Sequence, residues 1–327
     1  MVPTRLATVV SAAVAGALLA SCAGAPGSPQ VTTGSAFTPV TLDNCGETVE
    51  VTKAPSRLVT VNQGATEVAL ALGLEDRMAG TAYLDDEISS TWQEQYDTVD
   101  VLATEYPTKE RFLAAEPDLA YAAYSSAFSD KSVGTRAELK AEGIPTYISP
   151  FGCPKGEKTA APTFESAWSE VADVAKLFGV GGRADELIKR QQDELKRIRE
   201  QAPGKGVTAL WYDSGDKSPF VGAGGGGPQL ILDAVGAANV FGDLEGGWAD
   251  GTWEKVVESD PDVIVLADAS WSSADSKKAY LEADPVLQNL AAVKAGRYVV
   301  VPFSATTPGV RLIEGAQTVA EGLADHS

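Results

Sequence analysis

The chain has 327 residues, of which 44% are hydrophobic and 22% charged, a composition typical of a folded globular protein with at least one large core. Its 26 basic and 45 acidic residues give a formal charge of −19, so binding to nucleic acid or to an anionic lipid surface through a basic patch is not expected. The only histidine is His326. Its place beside the C-terminus argues against histidine-based metal sites, Ser-His-Asp triads and Cys-His dyads.

The N-terminus has the order of a secretory signal. Arg5 precedes an apolar run over residues 6–19, and small residues follow it up to Cys22. A transmembrane anchor is the alternative, but the run is shorter than the roughly 18 apolar residues that a span needs. Residues 19–22 (Leu-Ala-Ser-Cys) resemble the bacterial lipobox. The cysteine of a lipobox is lipidated and becomes the mature N-terminus. We therefore expect residues 1–21 to be a lipoprotein signal peptide and Cys22 to anchor the protein at the outer, extracytoplasmic face of the cell membrane.

Residues 22–36 follow the signal segment and are rich in Gly, Pro, Ser and Thr without periodicity. This composition predicts a flexible spacer.

Two cysteines, Cys45 and Cys153, remain after Cys22. In an exported chain this pair most simply forms one disulfide; the alternative is two unrelated buried thiols. A bridge would join the start of the folded domain to the loop near Phe151.

The first half of the folded chain alternates strands and helices. A strand is predicted over residues 57–62, followed by a helix that stops at Gly73. Further strands are predicted at 119–122 and 146–148, with a helix at 136–141 between them. This alternation predicts a parallel sheet covered by helices on both faces, in an N-terminal α/β lobe.

A long amphipathic helix is predicted over residues 183–202. Its apolar residues recur on roughly one face, Gly181 and Gly182 precede it, and Pro203 and Gly204 end it. At 1.5 Å per residue it spans about 28 Å, enough to cross the back of two lobes. Such a stiff connecting helix would allow only a small closing motion. The alternative is an ordinary surface helix within one domain.

The second half repeats the strand and helix scheme. Strands are predicted at 208–212, 263–266 and 298–301. The sequence thus predicts an α/β fold of two doubly wound lobes, residues 37–182 and 203–327, joined by one long helix.

Two ten-residue blocks echo each other at half-chain separation. Each block, Glu110–Leu119 and Glu254–Val263, begins with Glu and a basic residue and contains a short helix that a proline stops before a buried strand. An echo at this distance indicates duplicated lobes rather than a long solenoid.

The lipobox, the two lobes, the connecting helix and the paired blocks together resemble the substrate-binding lipoproteins of ABC importers, in the iron-siderophore, haem and cobalamin group. The resemblance covers nearly the whole mature chain. It implies a class III periplasmic-binding-protein fold that captures a small molecule between its lobes and delivers it to permease and ATPase subunits.

The same resemblance implies that Glu110 and Glu254 contact arginines of the permease. Each glutamate is predicted in the first turn of its helix, where the helix dipole favours a carboxylate and leaves it exposed. The alternative is two helix-start carboxylates with no partner.

Four further stretches resemble an actinobacterial branch of this family, which is associated with a precursor of the deazaflavin redox cofactor. They lie at residues 44–46, 209–216, 221–229 and 268–271. The resemblance implies that this precursor is the ligand.

Aromatic and hydroxyl side chains follow the predicted strands, at the edge where open parallel sheets bind ligands. Such rings would hold a planar or bulky organic ligand by stacking, with a few hydrogen bonds to orient it. The alternative for about half of the rings is core packing. The predicted ligand-binding residues are Gln63, Thr66, Tyr83, Tyr124, Ser126, Phe151, Tyr212, Gly224, Trp248, Trp271, Phe303 and Arg311.

A glycine-rich segment, Gly222-x-Gly224-x-x-Gly227, formally matches the dinucleotide-binding fingerprint. A run of four glycines satisfies that pattern easily, so a milder role is preferred: helix-start amides that hold a phosphate or carboxylate of the ligand. Arg311, predicted in the first turn of the last helix, is the second possible anion contact; its alternative is a solvent-facing salt bridge.

Two other functions compete with this prediction. A ferric-siderophore or haem binder of the same fold would have to use a tyrosine such as Tyr83 or Tyr124 as its iron ligand. An exported enzyme is disfavoured because the sequence has no Gly-x-Ser-x-Gly elbow and its acidic pairs are scattered. We therefore expect no catalytic residue, no cofactor and no bound metal.

Overall fold

The computed structural model describes residues 37–325. The predicted signal peptide, Cys22, the spacer and His326 lie outside the described residues. Within the described range, no helix combines the length and apolar character needed to cross a membrane.

The N-terminal half forms a short hairpin and a five-stranded sheet. Its strands are β1 (Val40–Asn44), β2 (Glu47–Val51), β3 (Leu58–Val61), β4 (Met78–Ala82), β5 (Val101–Ala103), β6 (Leu119–Ala122) and β7 (Thr146–Ile148). Its helices are α1 (Gln63–Ala71), α2 (Gln93–Tyr96), α3 (Lys109–Ala114) and α4 (Arg136–Ala141). The sheet has the order β5-β4-β3-β6-β7 and is parallel throughout. Its winding direction reverses between β3 and β6, as in a doubly wound fold.

The C-terminal half has a six-stranded mixed sheet. Its strands are β8 (Thr208–Ser214), β9 (Phe220–Gly222), β10 (Ala238–Asn239), β11 (Trp248–Asp250), β12 (Val263–Asp268) and β13 (Tyr298–Pro302). The helices that complete the chain are α5 (Phe164–Phe178), α6 (Gly181–Gln201), α7 (Gly227–Val235), α8 (Trp253–Ser259), α9 (Ala274–Ala283), α10 (Ala291–Ala295) and α11 (Leu312–Asp325). The order is β11-β9-β8-β12-β13, with β10 also paired to β8. Here β8, β10, β12 and β13 are parallel, whereas β9 runs antiparallel to both of its neighbours, β8 and β11.

The predicted α/β fold with two sheets is confirmed, and strands β6 and β7 and helix α4 have the predicted bounds. All residues of β3 and β6 are buried, as expected for strands covered on both faces. The sequence analysis did not predict the β1–β2 hairpin, strands β4 and β5, or the antiparallel edge formed by β9 and β11.

A pair of helices, and not α6 alone, connects the two halves. In α6, Leu187 packs in the core beneath the first sheet and Ile198 in the core beneath the second. In α5, Phe178 packs in the first core and Phe164 in the second. The expectation of a single connecting helix was therefore too simple. The boundaries 37–182, 183–202 and 203–327 stay a prediction, since both helices contribute to both cores.

A side-chain relay fixes this helix pair to the segment before α11. The indole Nε1 of Trp168 donates a hydrogen bond to Gln191 Oε1 at 2.8 Å, and Gln191 Nε2 donates to the carbonyl of Val310 at 2.8 Å. Because all three residues are buried, this relay limits sliding of α5 against α6.

The predicted disulfide between Cys45 and Cys153 is present, with the two Cα atoms 5.2 Å apart. It links the turn of the β1–β2 hairpin to the loop after β7. A closed loop of this length, with a sequence separation of 108 residues, restricts the unfolded chain.

The two echoing blocks adopt the same structure. Thr108 caps α3 by accepting a hydrogen bond from the amide of Arg111, and Thr252 caps α8 by accepting one from the amide of Lys255. Each helix is followed by a residue with positive φ and a proline: Glu116 in the first block and Asp260 in the second.

The aspartate after each proline completes the echo. Asp118 accepts hydrogen bonds from the amides of Ser56 and Arg57 before β3, and Asp262 accepts them from the amide and hydroxyl of Thr208 at β8. Each block thus ties the start of its buried strand to the neighbouring central strand. The duplication places Glu110 and Glu254 at equivalent positions.

Candidate functional site

A cavity of about 500 Å³ lies between the two lobes, beyond the carboxyl ends of the central strands. This is the edge at which open parallel sheets bind ligands. Residues from both halves line it, among them Gln63, Asp85, Tyr124, Ser149, Phe151, Thr159, Pro162, Glu170, Gly225, Gly226, Gly227, Trp248, Phe303, Ser304 and Thr307.

Aromatic rings form the C-terminal side of the cavity. Trp248 stacks between Phe220 and Phe303, with ring centroids 6.3 and 6.0 Å apart. Trp271, which is 55% exposed, contacts Phe303 edge to face at 4.9 Å. These contacts hold a row of rings in fixed orientations beside the cavity.

A second ring group lies on the N-terminal side. Tyr83 contacts Tyr106 edge to face at 4.7 Å, and the Tyr106 hydroxyl lies 2.7 Å from the Ser126 hydroxyl. Tyr124 lines the cavity and is 42% exposed. Burial, with smaller effects of Asp85 and neighbouring tyrosines, raises the pKa of Tyr124 to about 12, so its hydroxyl stays a neutral donor.

Five predicted ligand-binding residues line the cavity, namely Gln63, Tyr124, Phe151, Trp248 and Phe303. Tyr83, Ser126 and Trp271 belong to the ring groups described above. Whether any of them touches a ligand stays a prediction.

The structure does not bring Thr66 and Tyr212 to the cavity lining. Thr66 is fully buried, and its hydroxyl lies 3.0 Å from that of Thr60 and 2.7 Å from that of Thr81. Tyr212 is 1% exposed and packs edge to face on Trp253. Strand β8 runs on to Ser214, so Tyr212 lies within the strand and faces a core.

Gly224 has a packing role beside the cavity. A Cβ atom at this position would lie 2.2 Å from the carbonyl oxygen of Gly242, so only glycine fits. The amides of Gly224 and Gly225 donate to the carbonyls of Leu244 and Gly246 and are thus used within the protein. Gly226 and Gly227, where α7 begins, line the cavity. An anion contact there stays a prediction.

Arg311 is buried between the lobes, which overturns the solvent-facing salt bridge that was the alternative for it. It precedes α11 and is 4% exposed, so it forms no solvent-facing salt bridge. Its guanidinium lies 3.1 Å from Glu67 of α1, 3.7 Å from Asp86 and 2.6 Å from Glu314. These carboxylates pair with the guanidinium within the protein, and a contact of Arg311 with a ligand anion stays a prediction.

We call Glu67, Asp86 and Arg311 the interlobe clasp. Glu67 and Asp86 come from the N-terminal half, and the amide of Ser304 also donates to Asp86 at 2.9 Å. Burial raises the pKa of Glu67 to about 7, although Arg311 opposes the shift. Burial likewise raises the pKa of Asp86, against the hydrogen bonds from Ser304 and the charge of Arg311. The sequence analysis missed both acids, because their basic partner is distant in sequence.

Two other acids lie in the cavity wall. Glu170 of α5 is 3% exposed and accepts a hydrogen bond from the Tyr121 hydroxyl at 2.5 Å; burial raises its pKa to about 7. Burial, and then the charge of Asp86, raises the pKa of Asp85 to about 6. Among the described residues that line the cavity, none is Lys or Arg. The wall therefore combines flat rings with acceptors.

The chain matches the model of the periplasmic binding protein family over residues 58–305, and it belongs to that family. Members of this family are non-enzymatic components of transport systems. The site is therefore one of binding rather than of bond chemistry, as the sequence predicted.

Individual proteins agree with this assignment. The chain is 27% identical, over 87% of its length and 85% of the relative's, to a Bacillus subtilis (strain 168) protein named uncharacterized ABC transporter substrate-binding lipoprotein YvrC. It is 21% identical to a vitamin B12-binding protein of Vibrio parahaemolyticus, over 71% of this chain and 78% of that one. The crystal structure of a periplasmic binding protein from Veillonella parvula DSM 2008 superimposes with a TM-score of 0.75 at 29% identity, covering 89% of this chain and 99% of that one.

Removal of the Arg311 guanidinium from the interlobe clasp should strongly destabilise the folded protein. In Arg311→Met, Glu67 and Asp86 lose their buried partner, so we expect the free energy of unfolding at about pH 8 to fall by about 3 to 5 kcal/mol. Arg197→Met breaks the exposed contact with Glu194 and should cost less than about 1 kcal/mol. Urea denaturation measures both, and equal losses would contradict the clasp.

The raised pKa of Glu170 predicts a pH-dependent stability. Between its ordinary pKa of 4.5 and its folded value of about 7, the folded protein keeps a proton that the unfolded chain has released. The stability linked to this group is thus complete below pH 4.5 and is lost as the pH rises to about 7, by up to about 3 kcal/mol. Glu170→Gln should remove this component of the pH profile, whereas Glu165→Gln, at an exposed position of the same helix, should keep it. Superimposable profiles of Glu170→Gln and wild type would disprove the shift.

Proposed function

We propose that this protein is an extracytoplasmic substrate-binding lipoprotein of an ABC importer that holds a bulky or planar organic molecule between its lobes and delivers it to the permease. A precursor of the deazaflavin cofactor is the favoured ligand. The observation that carries the proposal is that rings from both lobes line one cavity of about 500 Å³.

The shape and chemistry of the cavity suit a flat ring system. Tyr124 and Phe151 line it from the N-terminal half, and Trp248 and Phe303 line it from the C-terminal half. Facing rings of this kind stack on planar ligands, and the volume lies within the usual range for small-molecule sites. The tricyclic ring of a deazaflavin has this shape.

The proposed location rests on the N-terminal sequence and on the disulfide. The lipobox-like segment would make Cys22 the lipid-bearing N-terminus, and the Cys45–Cys153 bridge suits an oxidising compartment outside the cytoplasm. The relative named a substrate-binding lipoprotein is consistent with the same arrangement.

Glu110 and Glu254 are the proposed contacts with the permease. Both are exposed, and both occupy the second position of a helix capped by threonine. Hydrogen bonds from its own amide and from Thr108 lower the pKa of Glu110, so it is ionised and suited to meet a cation. In the part of the chain that the structure describes, neither carboxylate forms an ion pair.

A ferric siderophore or haem is the alternative ligand, but the cavity supports it less well. Iron ligation by Tyr124 would require its phenolate, which the raised pKa of about 12 disfavours. Anionic catecholates require cations, and the described cavity lining contains neither Lys nor Arg.

The proposed function can be tested on the exported chain carrying Cys22→Ser, a substitution that prevents lipidation. We expect a deazaflavin precursor to bind this protein and to quench its tryptophan fluorescence. Because Trp248 lines the cavity, Trp248→Leu should weaken binding by about tenfold or more. Trp92→Leu, at a tryptophan outside the cavity lining, should leave the affinity unchanged. Bound iron or haem in place of a deazaflavin would favour the alternative, and equal affinities in both variants would contradict the proposed site.

Permease docking predicts that the double variant Glu110→Gln and Glu254→Gln retains ligand affinity but loses most uptake into cells. The paired control, Glu94→Gln with Asp193→Asn, removes two exposed acids and should transport normally. Uptake of the labelled ligand, together with its affinity for the purified variants, separates docking from binding. Normal uptake by the Glu110 and Glu254 variant would refute the docking surface.

A further inference from the structure

The charged side chains among the described residues that line the cavity are both acidic. Asp85 and Glu170 both line the cavity and approach it from different elements: Asp85 follows β4, and Glu170 lies in the middle of α5. The acids are therefore held in place independently of each other. Both acids thus border the volume that a ligand would fill.

The two carboxyl groups differ in their bonding. Glu170 accepts from the Tyr121 hydroxyl and also has Ser149 as a hydrogen-bond neighbour. A carboxylate offers about four lone-pair sites, so Glu170 retains acceptor capacity after these contacts. The carboxylate of Asp85 forms no hydrogen bond or ion pair among the described residues, although its backbone amide donates to Gln63 Oε1.

The surroundings supply no compensating cation at the wall. Tyr121 and Ser149 act on Glu170 through hydrogen bonds, and the charge that acts on it is that of Asp173. The charge that acts on Asp85 is that of Asp86. The buried cation nearby, Arg311, already contacts Glu67, Asp86 and Glu314. A ligand carboxylate or phosphate placed against Asp85 and Glu170 would lose water and be repelled by both carboxylates.

We propose that Asp85 and Glu170 make the cavity selective for a ligand that presents hydrogen-bond donors without negative charge, such as a hydroxyl or an amine, to this wall. The inference rests on the proposed function, which makes this cavity the ligand site. It narrows that function, since a deazaflavin precursor with free hydroxyls on its side chain fits the wall better than one that turns a phosphate toward it.

Three probes that share one planar ring system test the selectivity: 1-pyrenemethylammonium, 1-pyrenemethanol and 1-pyrenecarboxylate. Affinities are measured by pyrene fluorescence at about pH 8, where both acids are ionised, on the exported chain carrying Cys22→Ser. We expect the ammonium and the alcohol to bind at least about tenfold more tightly than the carboxylate.

Variants assign this preference to the two acids. In Asp85→Asn with Glu170→Gln, the three affinities should converge to within about threefold. The control Glu94→Gln with Glu200→Gln removes the same charge from exposed positions and should keep the full discrimination, which separates the wall from the overall negative charge. The single variant Asp85→Asn, at a partly exposed residue, keeps the test usable if the double variant does not fold.

The outcomes separate the inference from the function on which it rests. Carboxylate binding as tight as that of the other probes, or discrimination that survives in Asp85→Asn with Glu170→Gln, would overturn the selectivity while leaving the cavity as a ligand site. Failure of all three probes to bind would overturn the proposed planar-ligand site, and the selectivity with it.

Discussion

The buried contact between Arg311 and Glu67 determines how the two halves of the cavity face each other. It joins side chains 244 residues apart in sequence, one from each lobe, at 3.1 Å. The cavity walls are tied to it directly: Gln63 donates to Glu67, and the Ser304 hydroxyl accepts a hydrogen bond from Arg311. Since a buried charge without its partner is strongly unfavourable, this contact defines one relative position of the lobes and thereby the spacing between the facing rings.

The helix pair α5–α6 provides a second constraint from behind. Both helices contribute side chains to both cores, so a large opening of the lobes would have to bend or separate two packed helices. The same arrangement brings Glu170 of α5 to the cavity wall. The element that joins the lobes therefore also supplies part of the cavity wall, which couples the relative position of the lobes to the shape of the cavity.

The sequence analysis correctly predicted those elements that are determined by residues close together in the sequence. Strands β6 and β7 and helix α4 have apolar runs or caps within a few residues, and the Thr-capped blocks at Glu110 and Glu254 repeat in sequence as they do in structure. The missed strand β4 contains Ala and Gly, which have weak strand preference. Tyr212 was misplaced because β8 is longer than its apolar core. The acids Glu67 and Asp86 resembled ordinary surface residues, since their partners Ser304 and Arg311 are distant in sequence.

The most direct test of this account is a crystal structure of the protein purified from its own membrane with its retained ligand. The account predicts density for a flat molecule in the cavity, between Tyr124 and Phe151 on one side and Trp248 and Phe303 on the other, with the Glu67–Arg311 contact formed. A ligand bound outside this cavity would contradict the account.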